Sequence, residues 1–224
     1  MRHLDLFSGI GGFALACSWV WEDEYQNVGH SDIEPYACKV YHKHFPGSLC
    51  LGDITKIEWK EGQVDLITAG FPCQPFSSAS RGRITAVDLS GEVGRCAEAV
   101  RPNWIVCENV QRKAFDEIDS ILSRIGYVTA IKRIGAHEVG ADHQRNRWWL
   151  IAHANDKGEF RRTFNAEAPL VQEIRGGVWN AENFARAIRV PYGLSNRVDR
   201  LAGLGNSIVP QVAYEILKPL REFI

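Results

Sequence analysis

The sequence predicts an α/β protein built on a doubly wound, mostly parallel sheet, and three observations lead to this prediction. Short apolar segments rich in β-branched residues alternate with segments of helical periodicity from residue 1 to about residue 134. Turns rich in glycine or proline follow several of the apolar segments. Acidic residues end two predicted strands, and open α/β sheets bind their ligands at the carboxyl ends of strands. We therefore expect a ligand site along one edge of the sheet.

The composition is that of one soluble globular domain. The chain has 224 residues, of which 24% are charged and 45% hydrophobic, and this length is enough to bury a sizeable core. No apolar run is long enough to span a bilayer, and the strand pattern starts at Arg2, which leaves no room for a signal peptide. The expected location is therefore cytoplasmic.

Charge and cysteine content limit the possible partners. The net charge of −1 argues against a nucleic-acid partner unless the basic residues cluster on one face. The six cysteines include no C-x-x-C pair, so we expect neither a zinc framework nor a disulfide framework.

The first predicted unit is a strand over residues 2–7, a glycine-rich turn over residues 8–12 and a helix over residues 13–21. Such a turn brings backbone N–H groups close to an anionic or polar cofactor. Its glycine spacing is not G-x-G-x-x-G, so the turn is weak support for a dinucleotide site, and a simple tight turn fits it too.

The second predicted strand, residues 26–31, ends at Asp32. A carboxylate about 20 residues after a glycine turn suits a ribose diol, because it can accept hydrogen bonds from both hydroxyl groups. Helix capping is the alternative. Pro35 suits the first turn of a helix over residues 36–45, and Asp32 or Glu34 could accept hydrogen bonds from the free N–H groups of that turn. Residues 52–55 are predicted to form a further turn.

Cys73 follows the third predicted strand, residues 64–68. Gly70, Pro72 and Pro75 end that strand and make the loop stiff. A thiol on such a loop is a candidate nucleophile, although a buried core cysteine is the alternative. The small, polar and basic residues 78–85, with Arg81, follow as a candidate lid.

Further elements are predicted towards the carboxyl end. These are a helix over residues 89–100, a strand over residues 102–110 that ends near Glu108, a helix over residues 115–125 ended by Gly126, and a strand pair over residues 127–134 and 147–152. Arg145 and Arg147 would share one face if the last strand extended back to Arg145. Regular periodicity is lost over residues 154–200, where eight bases stand against six acids, and it returns in an apolar helix that reaches Phe223.

The chain resembles the DNA (cytosine-5)-methyltransferase family in five segments that keep the family's order and span nearly the whole sequence. They are residues 5–13 (DLFSGIGGF), 70–77 (GFPCQPFS), 108–110 (ENV), 145–147 (RNR) and 205–211 (GNSIVPQ). The resemblance implies a doubly wound, Rossmann-like S-adenosylmethionine-dependent methyltransferase sheet over residues 1–153 and 201–224. It also implies a small inserted target-recognition domain over residues 154–200.

The reaction implied by the resemblance transfers a methyl group from S-adenosyl-L-methionine to carbon 5 of a cytosine flipped out of double-stranded DNA. Cys73 would attack carbon 6 and form a covalent adduct, which makes carbon 5 nucleophilic. Glu108 would hold a proton at ring nitrogen 3, while Arg145 and Arg147 would steady the base carbonyl and the adduct.

The resemblance also implies residues for the cofactor and for DNA. The cofactor residues are Phe7, Ser8, Gly9, Gly11, Gly12, Asp32, Ile33, Asp53, Ile54, Gly70, Pro72, Asn206 and Ser207. The DNA residues are Ser77, Arg81, Arg83, His143, Arg161, Arg162 and Arg175. Two positions depart from the family pattern, since His143 stands where glutamine is common and Ile33 where an aromatic residue is often found.

Three alternatives to this family remain. A branch of the same fold methylates tRNA, but its usual Cys-Phe-Thr signature is absent here. A non-catalytic DNA-binding relative is disfavoured because Cys73, Glu108 and Arg147 are all present, and a Rossmann oxidoreductase fails on the glycine spacing. The expected partners are double-stranded DNA and a cognate restriction endonuclease that acts separately, and the expected state is a monomer.

Overall fold

A computed structural model of the protein describes residues 1–60, 62, 64–72, 88–154 and 207–223. Within these residues the chain forms a seven-stranded sheet in the order β3-β2-β1-β4-β5-β7-β6. Neighbouring strands are parallel except that β7 runs antiparallel to both β5 and β6. The strands are β1 (Arg2–Leu6), β2 (Gln26–Ser31), β3 (Leu49–Cys50), β4 (Leu66–Ala69), β5 (Trp104–Asn109), β6 (Val128–Ile134) and β7 (Arg147–His153).

Helices cover both faces of the sheet, as the predicted doubly wound fold requires. Among the described residues they are α1 (Gly12–Trp21), α2 (Pro35–His44), α3 (Ser90–Val100), α4 (Asp116–Arg124) and α5 (Pro210–Leu217). Side chains of α1 and α5, including Phe13 and Ile216, pack with Trp149 and Ile151 of β7 on one face. Side chains of α3 and α4 pack with Ile67, Ile105 and Leu150 on the other.

Most of the predicted elements are confirmed, with shifts of a few residues at their ends. The structure adds β3, whose two residues are too few to show a periodic pattern. The condition for Arg145 and Arg147 to share one face is not met, because β7 begins at Arg147 and Arg145 adopts a left-handed backbone with φ 24°. The two arginines therefore do not share a strand face. None of the described helices combines the length and apolar character needed to cross a membrane.

A buried polar network lies on the same sheet face as α1 and α2. The Thr68 hydroxyl donates its one hydrogen to Asp5 Oδ1 at 2.8 Å. Thr68 Oγ1 must therefore accept in its 2.7 Å contact with His3 Nε2, which carries the ring hydrogen. Tyr25 donates to His3 Nδ1 at 2.9 Å, and Tyr41 donates to Asp5 Oδ2 at 3.2 Å. Burial raises the pKa of Asp5 to about 8 and lowers that of His3 to about 3.

Candidate active site

The carboxyl ends of the central strands meet at one edge of the sheet, and most of the described candidate residues lie there. The turn after β1, Asp32 after β2, residues 70–72 after β4, and Glu108 at the end of β5 are brought together by the parallel pairing β2-β1-β4-β5. This is the edge at which α/β sheets bind ligands.

The turn after β1 has an unusual backbone. Phe7, Gly9 and Gly11 all have positive φ, at 50°, 52° and 91°, a region that glycine enters without steric cost and phenylalanine rarely adopts. The Gly9 amide donates to Asp32 Oδ2 at 2.7 Å, so the turn is tied to the end of β2. Ser8 Oγ is buried and has no hydrogen-bond partner among the described residues. The turn therefore presents a buried polar atom that can still take a ligand.

The segment that precedes α5 packs against the start of α1. A Cβ atom at Gly12 would lie 2.6 Å from Ile208 Cγ1 and 3.1 Å from Ser207 Oγ, so only glycine fits there without displacement of its neighbours. Ser207, a predicted cofactor residue, is thereby placed beside the turn after β1, although almost 200 residues separate them in sequence.

Both carboxylate oxygens of Asp32 are engaged by the backbone. Oδ2 accepts the Gly9 amide and Oδ1 accepts the Glu34 amide at 2.8 Å. Glu34 is itself the N-cap residue of α2 and has no side-chain cap, so Asp32 orders the approach to the helix without bonding its first turn. Each carboxylate oxygen can accept a second hydrogen bond, so a diol could still bind. The adjacent Ile33 side chain is 74% exposed and offers an apolar surface beside it.

Asp53 and Ile54 start a short 3-10 helix, Ile54–Lys56, next to the end of β2. The Thr55 hydroxyl and amide both donate to Asp53 Oδ1, at 2.8 and 3.0 Å, and hold the pKa of Asp53 below its usual value. The Ser31 hydroxyl donates to the Gly52 carbonyl at 2.7 Å and so joins this turn to the strand that leads to Asp32.

Glu108 and Arg147 form a buried ion pair at the ends of β5 and β7. Arg147 Nε lies 2.9 Å from Glu108 Oε1, and Glu108 is 9% exposed. Burial raises the pKa of Glu108 to about 7, against the opposite influence of Arg147 and Arg145. A carboxyl group with this pKa holds or releases a proton near neutral pH, which is the property required of a general acid.

Arg145 connects this pair to the carboxyl-terminal segment. Its Nη2 donates to the Ser207 carbonyl at 2.6 Å. Burial and the positive charge of Arg147 lower the pKa of Arg145, while Glu108 raises it. The structure therefore brings Glu108, Arg145 and Arg147 into one electrostatic group, as the sequence led us to expect, although Arg145 reaches it from a turn.

Asn109 is a site residue to which the sequence analysis assigned no role. Its side chain is 1% exposed, and Nδ2 donates to the Phe71 carbonyl at 3.1 Å. Phe71 and Pro72 directly precede Cys73, so Asn109 fixes the start of the Cys73 loop against the end of β5. Its position next to Glu108 was the available signal, because a polar side chain inside a buried strand needs a partner.

Several candidate residues lie outside the described residues. They are Cys73, Ser77, Arg81, Arg83, Arg161, Arg162, Arg175 and Asn206. Nearly all of the expected target-recognition domain, residues 154–200, also lies outside them. His143 is described and is half-buried in the turn that leads to β7.

The strand order and the site edge are those of the Rossmann-like methyltransferase fold, which solved methyltransferases share. More narrowly, the chain belongs to the C-5 cytosine-specific DNA methylase family, whose family model matches residues 1–185.

Individual relatives agree with this assignment. The type II methyltransferase M2.BsuMI of Bacillus subtilis strain 168 is 33% identical over 171 residues, which cover 68% of this chain and 42% of that protein. M.NlaX of Neisseria lactamica is 32% identical over 171 residues, which cover 71% and 54%. The chain thus spans about half the length of the curated relatives it matches.

Solved structures show the same fold. The Dnmt2 methyltransferase of S. pombe aligns with a TM-score of 0.60 at 26% identity and covers 82% of this chain and 60% of that one. The methyltransferase EhMeth of Entamoeba histolytica aligns with a TM-score of 0.58 at 21% identity, with 70% and 53% covered.

Proposed function

We propose that this protein methylates carbon 5 of a flipped-out cytosine in a specific sequence of double-stranded DNA, with S-adenosyl-L-methionine as the methyl donor. The buried Glu108–Arg147 pair is the observation that carries the proposal. It places a carboxyl group with a pKa near 7 at the sheet edge, next to the fixed start of the Cys73 loop. A carboxyl group with this pKa is partly neutral near neutral pH, which weakens a structural ion pair. The same property suits proton transfer to a ring nitrogen.

The residues at the turn after β1 fit this cofactor. Asp32 has spare acceptor capacity for the ribose hydroxyl groups, and Ile33 offers an exposed apolar face for the adenine. Two features suit the charged methionine part of the cofactor. Ser8 Oγ has no hydrogen-bond partner among the described residues, and the first turn of α1 has no side-chain cap. When bound, S-adenosylmethionine supplies an electrophilic methyl group on a sulfonium.

The chain's own residues then activate the base. The Cys73 thiolate adds to carbon 6, and Glu108 gives its proton to nitrogen 3 as electron density moves into the ring. Carbon 5 thereby becomes nucleophilic. After methylation the proton on carbon 5 leaves to solvent, the bond between carbon 6 and sulfur breaks to release the Cys73 thiolate, and nitrogen 3 returns its proton to Glu108. Arg147 orients Glu108 for these steps through the 2.9 Å contact.

The target cytosine must leave the duplex for this chemistry, because neither face of a stacked base is open to a thiol. The expected sequence choice by residues 154–200, a separately acting restriction endonuclease and a monomeric state are parts of the same proposal.

A trapping experiment tests the proposal directly. The protein and S-adenosylmethionine are incubated with a duplex that carries 5-fluorocytosine at the methylated site, which is first found by base-resolution mapping on a random-sequence library. Fluorine at carbon 5 blocks the final elimination, so mass spectrometry should find one covalent adduct on the peptide that contains Cys73. The absence of methylated cytosine in the library, or an adduct on Cys96, would contradict the proposal.

A further inference from the structure

A second cluster of reactive side chains lies at the outer edge of the sheet. His30 of β2, Cys38 of α2 and Cys50 of β3 bring one nitrogen and two sulfur atoms within 4.8 Å of one another. His30 and Cys50 are register partners on neighbouring strands, so their side chains project from the same face. Cys38 is in the first part of α2, which packs on that face.

His30 Nε2 is the ring nitrogen available to this cluster, because Nδ1 is bonded to Ser48 Oγ. The His30 side chain is fully buried, and Nε2 has no hydrogen-bond partner among the described residues. Neither thiol donates to it, and the Cys38 thiol donates instead to the Asp32 carbonyl at 3.4 Å. A buried ring nitrogen without a partner costs free energy unless a ligand occupies the site.

Hydrogen bonds on the other side of the ring make Nε2 a lone-pair donor. The Ser48 hydroxyl donates to Asn27 Oδ1 at 2.7 Å, so His30 Nδ1 must carry the hydrogen in its 2.9 Å bond to Ser48 Oγ. With the ring hydrogen on Nδ1, Nε2 carries a lone pair that can bind a metal ion.

The orientation of Asn27 is fixed in turn. Its Nδ2 donates to the hydroxyl oxygens of Tyr41 and Tyr25, at 2.6 and 3.1 Å. The Tyr41 ring also stacks on His30 at a centroid distance of 4.0 Å. A histidine held in one tautomer by its second nitrogen is the arrangement that metal sites use to orient their ligands.

We propose that His30, Cys38 and Cys50 bind one zinc ion through Nε2 and two thiolates, with the fourth position open to water. Two thiolates and an imidazole are the donor set that zinc prefers. Tetrahedral zinc holds such ligand atoms about 3.4–3.8 Å apart, so the cluster needs only a small contraction. Cys50 is exposed and gives the ion a path from solvent.

The proposed site differs from the expectation that a chain without a C-x-x-C pair holds no zinc framework. Its ligands come from three different elements, so no C-x-x-C pair is required. A bound ion would connect the two-residue strand β3 to β2 and α2, and would stiffen the sheet edge beside Asp32.

Cobalt substitution tests the site. Protein kept reduced with a phosphine should bind one Co²⁺ with the visible absorption of tetrahedral cobalt and a sulfur-to-metal band in the near ultraviolet, and added zinc should abolish both. Cys50→Ser should lose the spectrum. Cys73→Ser, which removes the same number of thiols, should keep it. Absence of these bands in folded, reduced wild-type protein, or the same spectrum in both variants, would overturn the proposal.

Thermal unfolding supplies a second measurement of metal binding that does not depend on the absorption bands of cobalt. Zinc should raise the melting temperature of the wild type and of Cys73→Ser but leave Cys50→Ser unchanged, since binding to the folded state alone stabilises it. Cys50 is exposed, so serine there should not disturb packing. An equal zinc shift in all three proteins would place the ion elsewhere. Both readouts measure metal binding and are independent of methyl transfer.

Discussion

At the scale of single residues, the pKa of Glu108 is the property that most directly links this structure to chemistry. Loss of hydration raises the pKa, and Arg147 and Arg145 counteract the rise only in part, leaving it at about 7. The identity of the residue could be predicted from its place in a Glu-Asn-Val segment. Its pKa could not, because that value depends on burial that only the folded chain defines.

Replacement of Glu108 tests its role as an acid. Glu108→Gln keeps the size and one acceptor but cannot give up a proton as an acid, so methyl transfer should fall by about 10²- to 10⁴-fold. Single-turnover transfer of a labelled methyl group measures this loss. The exposed Glu98 on α3 provides the control, and Glu98→Gln should retain wild-type transfer. A Glu108→Gln rate near that of the wild type would remove Glu108 from the mechanism.

The same variant has an independent signature in stability. A carboxyl group with a raised pKa in the folded state contributes stability that is fully present below its unfolded value and is lost as pH rises through its folded value. For Glu108 this window runs from about 4.5 to about 7, and at most about 3 kcal/mol is involved. Urea unfolding between these pH values should therefore show a smaller pH dependence in Glu108→Gln. An unchanged dependence would show that the pKa of Glu108 is not raised.

Replacement of Asp32 tests whether this residue binds the cofactor or only orders the neighbouring backbone. Asp32→Ala should weaken S-adenosylmethionine binding by about 1–3 kcal/mol, the scale of lost charge-assisted hydrogen bonds. Titration calorimetry measures the affinity, and Glu34→Ala is the control for loss of a nearby negative charge. Unchanged affinity together with lower stability would instead assign Asp32 to ordering the start of α2.

At the scale of elements, the contacts between strand ends decide how the site is assembled. Asn109 connects β5 to the chain that leaves β4, and we assign it a positioning role. In Asn109→Asp an acceptor would face the Phe71 carbonyl in place of the donor. The methyl-transfer rate and the yield of the 5-fluorocytosine adduct should both fall, while the affinity for S-adenosylmethionine stays near that of the wild type. Equal loss of affinity and rate would indicate general unfolding of the edge.

The buried network under α1 and α2 connects β1, β2 and β4. Thr68→Val removes the hydroxyl that bonds both Asp5 Oδ1 and His3 Nε2, and it should cost about 1–3 kcal/mol in the free energy of unfolding. Thr68→Ser keeps the hydroxyl and removes only a methyl group, so it should cost about 0.8 kcal/mol. Urea denaturation compares the two. Serine at least as destabilising as valine would mean that packing, and not hydrogen bonding, makes Thr68 important.

Sequence pattern predicted these elements well where they have clear ends. The second strand was predicted to the residue, because Pro35 and the polar residues before it mark where it stops. β3 was missed because a two-residue edge strand depends on pairing with β2 and not on its own pattern. The pattern could not show whether β7 extends back to Arg145 for a similar reason, since a left-handed residue leaves no periodic signal. Contacts such as Asn109 with Phe71 join distant segments, and spacing alone does not show them.

At the scale of the whole molecule, a net charge of −1 requires local basic clusters to hold DNA. We expect Arg81 and Arg83 to contact phosphates near the flipped base, because they follow Cys73 closely, and Arg175 of the insert to contact a recognised base. These residues lie outside the described part of the chain, so the division of roles rests on sequence and resemblance.

Two variants test that division. Arg83→Ala should lower turnover and reduce the salt dependence by about one phosphate contact, with the methylated sequence unchanged. Arg175→Ala should weaken discrimination at one base pair by about 1–3 kcal/mol. Base-resolution mapping of methylation for both variants, at two salt concentrations, measures these effects. A changed sequence preference in Arg83→Ala but not in Arg175→Ala would reverse the assignment.

The packing of α5 against α1 has a consequence for biosynthesis. Val212, Ile216 and Leu217 of α5 pack in the same apolar layer as Phe13 of α1 and Trp149 of β7, so residues made later complete a layer that residues made earlier begin. While the ribosome is still adding the intervening segment, at about 5–20 residues per second, that apolar face stays open to water and to other nascent chains. This apolar layer is therefore complete only once α5 is available to pack on it.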